Sequence, residues 1–120
     1  MVTALIVEDS LTDRERLTQY LQQSGITVVG VQSSEEALLK VQAKLPDMVF
    51  LDVVLPGQSG FEFCRDLKTN EQTQGIPVVI CSTKSTEADK LWGSMLGADA
   101  YLSKPVDQQQ LAAAIQQVMR

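Results

Sequence analysis

Five times along this chain a short apolar run gives way to a stretch in which apolar residues recur every three or four positions. The runs Ala4–Val7, Thr27–Val31, Met48–Leu51, Pro77–Cys81 and Ala100–Ser103 are too short for core helices and each meets a polar or charged residue at its far end, so each is read as a strand. Strands that all run the same way need crossovers of about a dozen residues, and helices in those crossovers cover both faces of the sheet. The expected fold is therefore α/β, a doubly wound (βα)5 sheet of five parallel strands. It is expected as one domain over residues 1–120 with no output domain.

Helix boundaries carry their own marks. Thr12 with Glu15, Ser33 with Glu36, Ser59 with Glu62 and Asp107 with Gln110 each place a capping side chain three residues before an acid or amide, the spacing at which two free backbone donors are satisfied together. Gly25 and Gly97 close helices, Pro46 stops another, and Thr69 to Gly75 reads as a polar loop. The expected inward stripes are Leu17, Tyr20 and Leu21 in the first helix and Ala37, Leu38, Val41 and Leu45 in the second. Phe63, Cys64 and Leu67 follow in the third, and Ala88, Leu91, Trp92, Met95 and Leu96 in the fourth. The fifth offers Leu111, Ile115, Val118 and Met119.

Composition removes several classes of function. With 44% hydrophobic and 21% charged residues in 120, the chain can bury a core of ordinary size. No apolar run approaches the roughly 18 residues of a membrane span, and the start Met1-Val2-Thr3-Ala4 lacks a signal peptide's basic region, so a cytoplasmic protein without membrane insertion is expected. A net charge of −5 without a basic cluster speaks against nucleic-acid binding. Cys64 and Cys81 lie among apolar neighbours with no metal-ligand spacing, and are expected as buried thiols.

Chemistry concentrates in Met48–Gly60, where an apolar strand runs straight into Asp52 and a Pro56-Gly57 turn follows. An acid there stands at the carboxyl edge of a strand, where open parallel sheets gather their reacting groups. In the doubly wound order 2-1-3-4-5, strands one and three are neighbours where the winding reverses, which brings Glu8 and Asp9 to Asp52. Two unit charges about 4 Å apart repel by about 4 kcal/mol at an effective dielectric near 20, so such a cluster calls for a proton or a cation. All-oxygen ligands point to Mg²⁺ before Ca²⁺. A carboxylate is also a nucleophile toward phosphoryl groups, and Ser82 and Lys104, ending strands four and five, offer a hydroxyl and an ammonium on the same edge. Pro105 follows Lys104, and an X-Pro bond in a tight turn can be cis.

These residues, with Leu51-Asp52, Pro56-Gly57, Gly60, Tyr101 and Lys104-Pro105 at matching spacing over the whole chain, resemble the receiver domains of two-component response regulators, the CheY-like single-domain members above all. The strand order used above is that of this flavodoxin- and CheY-like class. The resemblance implies phosphorylation of Asp52 by a histidine kinase of the CheA type, with Mg²⁺ held by Glu8, Asp9, Asp52 and the Val54 carbonyl. It implies that Ser82 and Lys104 bind phosphoryl oxygens, that Ser82 and Tyr101 act as a switch, and that a downstream protein reads the surface of the fourth helix, fifth strand and fifth helix. Such a protein is a monomeric signalling element, not an enzyme. The stretches Ser82-Thr83-Lys84, Ala88 to Gly93, Gly97-Ala98 and Lys104 to Asp107 further resemble the PilH-type receivers of type IV pilus or phototactic motility.

Competing readings are an aspartate-nucleophile phosphohydrolase, a phosphate sink or non-phosphorylated docking module of the same fold, and a flavodoxin-like carrier. The first needs a second acid two residues after the nucleophile, where Val54 stands, and the last needs a phosphate-cradling loop after strand one. The complete set Glu8, Asp9, Asp52, Ser82 and Lys104 argues against a docking module that is never phosphorylated.

Overall fold

The computed structural model describes residues 1–119. Strands and helices alternate without exception: β1 (Thr3–Val7), α1 (Leu11–Gln23), β2 (Thr27–Val31), α2 (Ser34–Ala43), β3 (Met48–Leu51), α3 (Gly60–Thr69), β4 (Val78–Ser82), α4 (Glu87–Met95), β5 (Ala100–Ser103) and α5 (Gln108–Val118). The five strands are parallel and lie in the order β2-β1-β3-β4-β5, as expected.

Strand alternation divides the core. Leu5, Val7, Val49, Leu51 and Val78 point to the face covered by α2 and α3, where they meet Ala37, Val41, Phe63, Cys64 and Leu67. Ala4, Ile6, Met48, Phe50, Val79 and Cys81 point to the other, against Leu17, Leu21 and Leu111. The three central strands β1, β3 and β4 are thus buried on both faces, which is why they read as continuous apolar runs.

Several helix details differ from expectation. Ser10, not Thr12, caps α1: its backbone is extended and its Oγ accepts the Asp13 N–H at 3.3 Å, so Thr12 already lies inside the first turn. Ser33 and Ser59 cap α2 and α3 as expected. Asp107 caps α5, but through the Gln109 N–H. A complete capping box begins α4 at Thr86 and Asp89, a pair absent from the sequence reading. Leu38 is exposed within α2, Leu45 is exposed beyond its end at Ala43, and Met119 is exposed beyond α5, whose buried residues are Leu111 and Ala114.

The largest correction concerns α4. Leu91, Trp92 and Met95 are 63%, 49% and 68% exposed, so the apolar stripe faces outward, and the residue this helix buries is Gly93. The reason is steric. A Cβ at Gly93 would lie 2.9 Å from a ring carbon of Tyr101 and 3.2 Å from Ile80 Cδ1, so the helix approaches the sheet edge on its smallest residue and turns its bulk away.

Candidate functional site

Backbone pairing carries the acids to one edge. The ladder continues one residue past the last strand pairs, with the Glu8 N–H donating to Val31 O and the Asp52 N–H to Val7 O, both at 3.0 Å. Glu8 and Asp52 therefore leave neighbouring strands side by side, and Asp9 follows in the β1–α1 loop. One oxygen from each of the three carboxylates lies within 4.8 Å of the others. Glu8 and Asp52 are buried and Asp9 is exposed, so the cluster opens to water through Asp9.

The loop after β3 depends on Gly60. A Cβ there would stand 2.0 Å from the Asp52 carbonyl oxygen, so only glycine lets α3 begin this close to the strand end. The Val54 N–H donates to Asp52 Oδ1 at 3.1 Å and orients the carboxylate. At the start of α2, Ser34 Oγ donates to Gln58 O at 3.1 Å and Glu35 accepts the Gln58 N–H at 3.0 Å, which ties the same loop down from outside.

Lys104 enters from the end of β5, where its own N–H donates to Ser82 O at 3.0 Å and its bond to Pro105 is cis. Its Nζ donates to Asp52 Oδ2 at 2.8 Å and to Asp13 Oδ2 at 2.9 Å, and it is ion-paired with Glu8 Oε1. Burial by itself would lower the Lys104 pKa, but hydrogen bonds to Asp52, Glu8 and Asp13 outweigh it and push the pKa up. Burial holds the Glu8 carboxyl above its ordinary value in spite of Lys104, whereas the Lys104 hydrogen bond holds Asp13 below its own.

Ser82 and Tyr101 sit farther along this edge and meet through one residue. Ser82 Oγ accepts the Lys84 N–H at 3.2 Å, while the Tyr101 hydroxyl donates to the Lys84 carbonyl. Burial of the ring raises the Tyr101 pKa to about 12, so it is a phenol at neutral pH. Ser82 does not cap α4, since Thr86 does.

The sequence-expected residues Glu8, Asp9, Asp52 and Lys104 are thus in one cluster, with Ser82 and Tyr101 joined to each other through Lys84. Asp13 and Arg14 escaped the sequence reading, and Lys84 entered it only within the stretch Ser82-Thr83-Lys84, with no role assigned. Arg14 donates to Glu8 O at 2.7 Å and fastens α1 to the end of β1. A hollow of about 660 Å³ between α2 and α3 touches none of the site residues.

The donor set suits a hard divalent cation: three carboxylates converge, two of them in a partly dehydrated setting, with one side open for water. Comparison with known proteins points the same way. The model of the response regulator receiver domain matches residues 4–116. The chain is 39% identical over 119 residues to the protein PilH of Pseudomonas aeruginosa, covering 99% of this chain and 98% of that one. It is 37% identical to the phosphate regulon transcriptional regulatory protein PhoB of Escherichia coli over 97% of this chain, and spans 51% of PhoB's length. Among solved structures, the chemotaxis response regulator CheY4 of Vibrio cholerae superposes with a TM-score of 0.90 at 30% identity, covering 98% of each chain. The strand order, the acids ending β1 and β3, and a family match across nearly the full length have one explanation: this chain belongs to the response regulator receiver domain family.

Proposed function

We propose that this chain receives a phosphoryl group on Asp52 from a histidine kinase and passes the event to a downstream protein through α4, β5 and α5. The observation that carries this reading is the cluster itself, three carboxylate oxygens within 4.8 Å with the Lys104 ammonium 2.8 Å from Asp52. Phosphorylation on aspartate is general for the family, and its members take the group from histidine kinases.

In the proposed step an Asp52 oxygen attacks phosphorus, the bond from phosphorus to the donor breaks, and the donor leaves with that electron pair. Glu8, Asp9, Asp52 and the Val54 carbonyl would hold Mg²⁺, which when bound neutralises charge on the carboxylates and the incoming group. Lys104 keeps a positive charge beside Asp52 and donates to phosphoryl oxygens, and the Ser82 hydroxyl supplies a second donor. If Ser82 turns to the phosphoryl group, the Lys84 N–H loses its acceptor, and the same residue holds the Tyr101 hydroxyl. Movement of the β4–α4 loop then reaches the Tyr101 ring and the outer face of α4.

Incubation with acetyl phosphate and Mg²⁺ is expected to add one phosphoryl group per chain, detected as a mass increase. Asp52→Asn should abolish it with the fold retained, and persistent labelling of that variant would remove Asp52 from the role. No turnover of a small phosphoester is expected, and sustained release of phosphate from one would favour a phosphohydrolase. On this reading, and from its resemblance to PilH-type receivers, the chain acts in chemotaxis-like control of pilus motility, with a CheA-type donor in the cytoplasm. Deleting the gene should change surface motility, and a complementing copy carrying Asp52→Asn should fail to restore it; restoration would separate the pathway from phosphorylation.

A further inference from the structure

Lys104 has three N–H bonds and three carboxylates around it, but the three acceptors are not alike. Glu8 and Asp52 belong to the trio of acids whose oxygens converge, and Asp13 does not. A cation entering that cluster competes with the ammonium for Glu8 and Asp52, while the Asp13 carboxylate stays outside the contest. Asp13 is also well anchored. Its N–H is fixed by the Ser10 cap, and the next residue, Arg14, ties the first turn of α1 to the Glu8 carbonyl. Space for Lys104 to swing away on that side is scarce: the hollow bounded by Asp13, Arg16, Leu17, Lys104 and Val106 is about 10 Å³, no more than a water.

We propose that Asp13 is the positioning residue of Lys104, an acceptor outside the cation cluster that draws the ammonium partly off Glu8 and Asp52 and keeps it within reach of a group bound to Asp52. This rests on the reading of Glu8, Asp9 and Asp52 as the cation site. Without Asp13, the ammonium has only Glu8 and Asp52 to pair with, and it opposes cation entry more strongly. The effect of Asp13 on cation binding must therefore depend on Lys104, which a simple loss of nearby negative charge would not require.

The test is a double-mutant cycle on Mg²⁺ affinity, measured by titration calorimetry on the full chain without any phosphodonor. Asp13→Asn is expected to weaken Mg²⁺ binding about tenfold, and Asp13→Glu to restore most of the loss. In a Lys104→Met background the same Asp13→Asn change should weaken binding only about twofold, a coupling of about fivefold. Equal fold-changes in the two backgrounds would make Asp13 a general charge and overturn the proposal, as would unchanged or tighter binding by Asp13→Asn. Wild-type protein that binds no Mg²⁺, or an Asp52→Asn variant that binds as tightly as wild type, would instead overturn the underlying reading of the acidic cluster.

Discussion

Glu8 and Asp13 share one ammonium that lowers both carboxyls, yet their pKa values move in opposite directions because burial outweighs Lys104 at Glu8 and not at Asp13. Burial holds Glu8 protonated to a higher pH than a free carboxyl, so the stability it contributes is full below its unfolded value and is lost as pH rises through its raised folded one. Asp13 is held down by Lys104, so its contribution is full above its unfolded value and is lost as pH falls through its depressed one. Glu8→Gln is accordingly expected to raise the melting temperature at pH 7 in the presence of a chelator; a lower value would mean that the pair with Lys104 outweighs burial. Lys104→Ala leaves Glu8 and Asp52 buried without their cation and should cost about 3 kcal/mol in denaturant unfolding, with part recovered when Mg²⁺ is added. A Lys104→Ala protein as stable as wild type would show that the carboxylates find protons or water instead. Glu8, Asp52 and Lys104 were legible in the sequence because each ends an apolar run, where a charge has no local reason to be. Asp13 was not, since an acid in the first turn of a helix already has an explanation in the free N–H groups there.

At α4 the sequence misled for a different reason. Apolar residues at helical spacing show that one face is apolar and nothing about what covers it. The informative residue was Gly93, which costs about 1 kcal/mol in a helix relative to alanine and so marks a close approach. Gly93→Ala is expected to drive the Tyr101 ring from its seat, break its bond to the Lys84 carbonyl and destabilise the fold by about 1–3 kcal/mol. A crystal structure of the variant with the ring unmoved would refute this. The three central strands were readable almost residue by residue, because burial on both faces leaves them no polar alternation to confuse. Caps were less so: Thr12 matches the capping spacing as well as Ser10 does, and only the backbone at Ser10 decides between them.

The fold as a whole should be sensitive to alkali. Burial raises the thiol of Cys64 to about 11 and that of Cys81 to about 12, and Tyr101 and Lys104 are shifted up as well. Groups raised on folding contribute stability that is complete below their unfolded values and disappears as pH climbs through their folded ones, so all four act in the same direction. The melting temperature should fall steadily from pH 9 toward 12, and Cys81→Val, which keeps the packing but cannot ionise, should flatten that decline. An unchanged slope would assign the loss to the other groups. The central strands are covered on both faces, and among the apolar side chains left exposed are Leu91, Trp92 and Met95 on the outer side of α4. Trp92, the chain's one tryptophan, stands half out of the surface there, beside the glycine on which Tyr101 rests. Its fluorescence is therefore a built-in optical probe, emitting at long wavelength while water reaches the indole and shifting toward the blue when another molecule settles over that helix.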